Sequence, residues 1–239
     1  MKEIDESIEL KFLLGQSVDV NGIDVHSPSL KDIVSIGYDK YNHALSSLLF
    51  DKSRFPELKN LKETNLELVI HFYSNDDRFR DSLELGSRLV FKNEVSIQIS
   101  GDSLNLRVGD SIVSSETFCG LQKLIKFANK IPEKTEVEEF NPANSKAKEF
   151  IDKIMGDRAK KPQKKPVSNL PSLISGLSWK SPNISILDIG ELTIYQLYDG
   201  YYRMENIDHY NSILTGIYSG TIDSSKINIQ ENTWAKIIT

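Results

Sequence analysis

Residues 87–114, SRLVFKNEVSIQISGDSLNLRVGDSIVS, decide the fold class. Val95, Ile97 and Ile99 alternate with polar residues, Gly101-Asp102 marks a turn, and alternation resumes through Leu104, Leu106 and Val108. A period of two puts one set of side chains on one face of a strand, so this stretch predicts a β-hairpin, with a short further strand at Ser111 to Val113. Ser114 or Ser115 then caps a helix whose inner face is Phe118, Leu121, Leu124, Ile125 and Ala128, ending before Pro132. A hairpin running directly into a helix points to an α+β protein.

Working toward the N-terminus, IELKFLLGQSVDVNGIDVHSPSL (residues 8–30) holds two short extended segments around Asn21-Gly22, a pair suited to the positive φ angles of a type I′ turn. This predicts a first β-hairpin. Ser29 with Asp32 then has capping-box spacing, ahead of one helix carrying Leu30, Ile33, Val34, Tyr41, Leu45, Leu48 and Leu49, weakened by Gly37. Residues 65–79, NLELVIHFYSNDDRF, fit a strand or the buried half of a helix, because periodicity does not separate the two in so short an apolar run.

Toward the C-terminus, residues 132–145 are acidic and turn-rich, and Asn141-Pro142 opens a helix with Ala147, Phe150, Ile151, Ile154 and Met155 on its apolar side. GDRAKKPQKKP (residues 156–166) has too many charges and prolines to pack a core and reads as an exposed linker. The expected organisation is an α+β domain over 1–156, with two β-hairpins and flanking helices, a basic proline-containing linker over 157–168, and a mainly helical region over 169–239. In that last region Thr193 and Gln196 form another capping-box pair, and Ile194, Leu197, Tyr198, Tyr201, Tyr202 and Met204 share a broad helix face. Trp234, Ile237 and Ile238 are placed to lock onto that bundle.

Composition limits the chemistry. The 239 residues carry 29 Lys and Arg against 34 Asp and Glu, a net charge of −5, which disfavours a general grip on nucleic-acid phosphates. No apolar run approaches the roughly 20 residues of a spanning helix, and the N-terminus lacks a secretory pattern, so neither a membrane nor export is expected. Cys119 is the single cysteine, which excludes an internal disulfide and any multi-cysteine zinc site; it reads as a small buried residue beside Leu121. His26, His43, His71 and His209 have no metal-ligand spacing, and Asp76-Asp77 and Glu138-Glu139 read as solvated loop acids. No nucleophile elbow, P-loop or dinucleotide motif is present, so the expectation is a protein without catalytic, cofactor-binding or metal-binding residues. Lys160, Lys161, Lys164 and Lys165 form the main basic cluster, without the interleaved aromatics of single-strand binders.

The most distinctive local feature is the tyrosine-rich stretch in the last region. Ile194, Tyr195, Tyr198, Tyr201, Tyr202 and Tyr210 are the candidate protein-binding residues, since tyrosine combines large contact area with a polar tip. The same residues also fit a helix core with hydroxyls reaching solvent.

Three segments resemble a family encoded in the tail-morphogenesis region of phages and prophages of Gram-positive bacteria. FLLGQSVDVNGIDVHSPSLKDIVSIGYDKYNHALSSLL (residues 12–49) is similar to the family's opening hairpin, proline-bearing turn and LKDI helix. Residues 90–129 resemble its short β unit giving way to a helix. ISILDIGELTIYQLYDGYYRM (residues 184–204), followed by ILTGIYSGTID and NTWAKII, looks like its LT-x-x-Q helix, small-residue turn and terminal tryptophan. The basic linker and the acidic stretch before it depart from the family pattern. The resemblance implies a tail assembly chaperone or morphogenesis factor. Such a protein would hold the tape-measure protein or other tail proteins in the host bacterial cytoplasm, with self-association a further possibility. It leaves open a structural component of the virion itself: a connector, tail terminator or baseplate protein.

Overall fold

The computed structural model describes residues 5–100, 103–132 and 168–238. The acidic stretch from Glu133, the helix expected around Phe150 and the basic linker lie outside the described residues.

The chain opens with α1 (Glu6–Leu13), capped by the Asp5 carboxylate. The first hairpin pairs β1 (Val18–Val20) with β2 (Ile23–Val25). Its turn residues Asn21 and Gly22 have φ of 53° and 83°, the double left-handed geometry of a type I′ turn. Ser29 caps α2 (Leu30–Ile36) by accepting from the amide of Asp32. The single helix expected from residue 30 to 49 is instead two, because Gly37 takes φ 92° and ψ 138° and turns the chain into α3 (Tyr38–Leu48). The ambiguous stretch 65–79 is helical: Thr64 and Glu67 close a capping box on α4 (Asn65–Asn75), and Asp76 caps α5 (Asp77–Val90). Leu66, Leu68, Val69 and Ile70 are all buried, so α4 is covered on several sides, which is why its sequence shows no clear helical period.

The second hairpin pairs β3 (Val95–Ser100) with β4 (Ser103–Val108), and β5 (Ser111–Ile112) adds a short third strand in the order β3-β4-β5. Val95, Leu106 and Val108 face the core, as the alternation predicts. Ser114 then caps α6 (Ser115–Ala128), which buries Phe118, Leu121, Leu124, Ile125 and Ala128. Cys119 does not join them. At about 100° per residue it lies a quarter turn from Phe118, on the solvent side of α6, and is exposed.

After the undescribed segment come α7 (Leu170–Lys180), opened by Asn169, and the 25-residue α8 (Ile194–Tyr218), opened by the predicted Thr193–Gln196 capping box. The fold is therefore α+β, with two small antiparallel sheets and flanking helices in the N-terminal part and a mainly helical C-terminal part.

The two parts meet through backbone as well as side chains. Leu30 donates its N–H to the carbonyl oxygen of Leu192 at 2.9 Å, and Ile194 donates to that of Pro28, also at 2.9 Å. Gln196 does double duty: its Oε1 accepts from the Thr193 amide inside the capping box, and its Nε2 donates to the carbonyl oxygen of Leu13 at 2.9 Å. Below these bonds Tyr195 is fully buried, its ring 5.7 Å from that of Phe12 and 5.4 Å from that of Phe127. Burying such a ring stabilises by roughly 1.5–3 kcal/mol or more, so this contact is a principal fastening of α8.

Candidate protein-binding surface

Tyrosine spacing on α8 distributes the six candidate residues over three environments. Ile194 and Tyr195 are buried against the N-terminal part and offer nothing to a partner. Lys130 closes over Tyr195 with its ammonium 4.4 Å from the ring centroid, and burial lowers the lysine pKa. Burial pushes the Tyr195 phenol well above its ordinary range, with nearby Glu9 adding to the shift.

Tyr198, Tyr201 and Tyr202 form a cluster one turn further on. The Tyr198 and Tyr202 rings stack at 6.5 Å, and Tyr201 meets Tyr202 edge-on at 5.3 Å. The cluster continues onto α3, where half-exposed Tyr38 lies 6.2 Å from the ring of buried Tyr41, whose hydroxyl bonds to Asn129 Oδ1. Burial first, then Tyr38 and Tyr202, raise the pKa of Tyr198. Tyr201 donates to Glu205 Oε1 at 2.6 Å, and that bond raises its pKa. Tyr210, half-buried, sits two turns beyond.

Tyr201 also lines a groove of about 160 Å³ between α7 and α8, together with Leu173, Gly176, Leu177, Met204 and Glu205. Lys180 at its edge is ion-paired with Asp208 of α8. Gly176 has open space where a Cβ would stand, which keeps the groove open beside Leu177.

Outside the groove, large apolar side chains reach solvent. Trp179 is 84 % exposed, because Leu170, Leu173 and Leu177 turn inward and residue 179 lies about 200° from Leu177 on the far side of α7. Leu187 in the following loop is 88 % exposed. Trp234 and Ile237 do not lock onto the bundle as expected: they are 51 % and 79 % exposed, and the tail is held by its backbone. The Arg203 guanidinium donates to the carbonyl oxygens of Trp234 and Lys236 at 2.9 and 2.8 Å. The sequence around Trp179, LSWKSP, looks like an ordinary serine-bearing turn and does not mark the indole as exposed.

The polar candidates stay apart. Asp76 caps α5, while Asp77 pairs with Arg80. Among the described residues no group of three or more His, Cys, Asp and Glu side chains is placed to hold a metal ion, and no helix is long and apolar enough to cross a membrane.

The matching unit is the C-terminal one. Residues 160–239 match the family model described as the YomV second domain. The match covers about a third of the chain, contains α7, α8 and the tail, and begins inside the stretch read as a linker. No curated protein and no solved structure matches the chain.

Proposed function

We propose that the protein is a non-enzymatic binding protein whose C-terminal part, the portion similar to the YomV second domain, covers an apolar helical stripe on a partner. The observation that carries this reading is that both tryptophans of the chain, Trp179 and Trp234, are more than half exposed in that part. Tryptophan is normally well buried, and exposed aromatic side chains around an apolar groove are typical of surfaces that are covered in a complex. The α7/α8 groove, with Leu173, Leu177 and Met204 in its walls and Tyr201 at its side, suits the i, i+3, i+4 side chains of an amphipathic helix.

The partner class follows from the resemblance of residues 12–49, 90–129 and 184–204 to tail-morphogenesis proteins of phages. In this reading the protein is a tail assembly chaperone or morphogenesis factor acting in the host bacterial cytoplasm, and its client is the tape-measure protein, whose long apolar helices need cover before the tube assembles. Co-expression with the tape-measure protein tests it: the two co-purify, and the protein is missing from finished particles. Recovery in purified particles at one copy per ring position would sink the chaperone role.

A second reading, a structural virion component such as a connector, tail terminator or baseplate protein, draws on a different feature. β3 is an edge strand, and Ile99 near the hairpin tip is 75 % exposed although it lies on the same strand face as buried Val95. An edge with an apolar end is a template for pairing with another subunit. Ring-shaped oligomers that dissociate on Ile99→Lys would favour this second reading over the first.

A further inference from the structure

We infer that the groove between α3 and α5 is a binding site for an acidic peptide segment of a partner protein. The two helices approach closely because residue 86 is glycine: a Cβ there would lie 2.8 Å from Leu48 Cδ1 and 3.0 Å from the carbonyl oxygen of Ala44. Beside this contact, Arg78, Asp81, Leu85 and Arg88 of α5 face Lys40 and His43 of α3 across an open groove of about 390 Å³. The spacing of the α5 residues, three or four apart, puts them on one stripe of the helix.

The charge in this groove runs against the charge of the molecule. Lys40, Arg78 and Arg88 are cations, while Asp81 is the one carboxylate in the lining, in a chain whose net charge is −5. Of the nearby acids, Asp77 pairs with Arg80, and Glu84 accepts from Tyr73 and lies 3.7 Å from Arg88, partly offsetting that cation. Lys40 and Arg78 make no ion pair among the described residues.

Length and chemistry select the ligand. Arg78 and Arg88 are ten residues apart on α5, about 15 Å along the axis, so the cations are spread beyond the reach of one small anion. An extended peptide of four or five residues covers about the same distance, and arginine accepts carboxylates in a two-pronged geometry. Half-buried Leu85 gives the side-chain methylenes of glutamate an apolar surface. A nucleic-acid strand fits less well, since no Phe, Tyr or Trp ring lines the groove for base stacking, the His43 imidazole is its one ring, and Asp81 interrupts the run of cations. The groove belongs to the N-terminal part and stands independently of the reading of the C-terminal surface.

The test is fluorescence anisotropy of a labelled peptide of alternating glutamate and alanine, titrated with the full chain at low salt. Saturable binding is expected, weakened at least about tenfold by Lys40→Glu with Arg78→Glu and unaffected by Lys123→Glu with Lys126→Glu on α6. The neutral pair Lys40→Gln with Arg78→Gln should give an intermediate loss with an unchanged circular-dichroism melt, which separates binding from folding. Raising the salt to about 0.5 M should remove most of the binding. Absence of saturable binding at low salt, or equal loss in the α6 variant, overturns the site. Tighter binding of a single-stranded oligonucleotide of equal charge, abolished by the same Lys40 and Arg78 changes, overturns the peptide as its ligand.

Discussion

Tyr195 donates its backbone N–H to the hydroxyl of Ser27 at 3.1 Å, and that hydroxyl in turn donates a hydrogen bond to the carbonyl oxygen of Ala128 at 3.0 Å. One buried serine thereby joins the segment before α2, the end of α6 and the start of α8. Ser27→Ala leaves an amide and a carbonyl without their buried partner, at a cost of about 1–3 kcal/mol. Urea denaturation read by far-UV circular dichroism should show an earlier midpoint and an unfolding free energy lower by that amount. An unfolding free energy within about 0.5 kcal/mol of the parent would mean that the junction contributes little.

The Tyr195 ring and its hydroxyl make separable contributions. Tyr195→Ala opens a cavity between Phe12 and Phe127 and should cost about 3–5 kcal/mol. Tyr195→Phe loses only the 3.3 Å bond to Glu9 and should cost about 0.5–1.5 kcal/mol. Denaturation of both variants measures the difference, and equal losses would contradict the aromatic packing of α8 on the N-terminal part.

At Gly86 the prediction has the opposite cause. A methyl group there has no room between α3 and α5, so Gly86→Ala should destabilise by about 1–3 kcal/mol although alanine is the better helix former. A more stable Gly86→Ala variant would show that the helices are further apart than described.

Alkaline pH should unfold the protein in a defined window. Burial, then the bond to Glu84, pushes Tyr73 up to about 12, and burial pushes Tyr41 higher still. The folded state therefore holds these phenolic protons more tightly than the unfolded chain, where tyrosine ionises near about 10. Their contribution is complete below the unfolded pKa and is lost as pH rises through the folded values. Stability should fall from about pH 10 to about pH 12, with tyrosinate absorbance rising late and together with unfolding. Absorbance that rises completely before unfolding begins would contradict the burial of Tyr41.

Much of this architecture was legible because local signals were strong. Asn21-Gly22, Ser114 and the Thr193–Gln196 pair each dictate a backbone geometry through one or two residues, and all three are found as read. In the sequence Gly37 only weakens one helix, yet its positive φ ends α2 and starts α3, a choice made by how both helices pack. The α4 stretch was ambiguous because burial on several sides erases periodicity. The tyrosine face of α8 shows the deeper limit. Helical spacing groups Ile194, Tyr195, Tyr198, Tyr201 and Tyr202, but only the docking against α1 and α6 separates the covered pair from the three beyond it. Trp179 shows the same limit in reverse, since its exposure depends on which side of α7 meets α8.

The central claim is that the surface of α7, α8 and the tail is covered in a complex with an apolar helix of the tape-measure protein. The two exposed tryptophans report on it directly. Titrating an apolar helical segment of that protein should shift the intrinsic tryptophan emission to shorter wavelength in a saturable way. Trp179→Ala with Trp234→Ala should weaken binding, followed by calorimetry, at least about tenfold while leaving the melting curve unchanged. An emission spectrum that does not move up to a large excess of segment would contradict it.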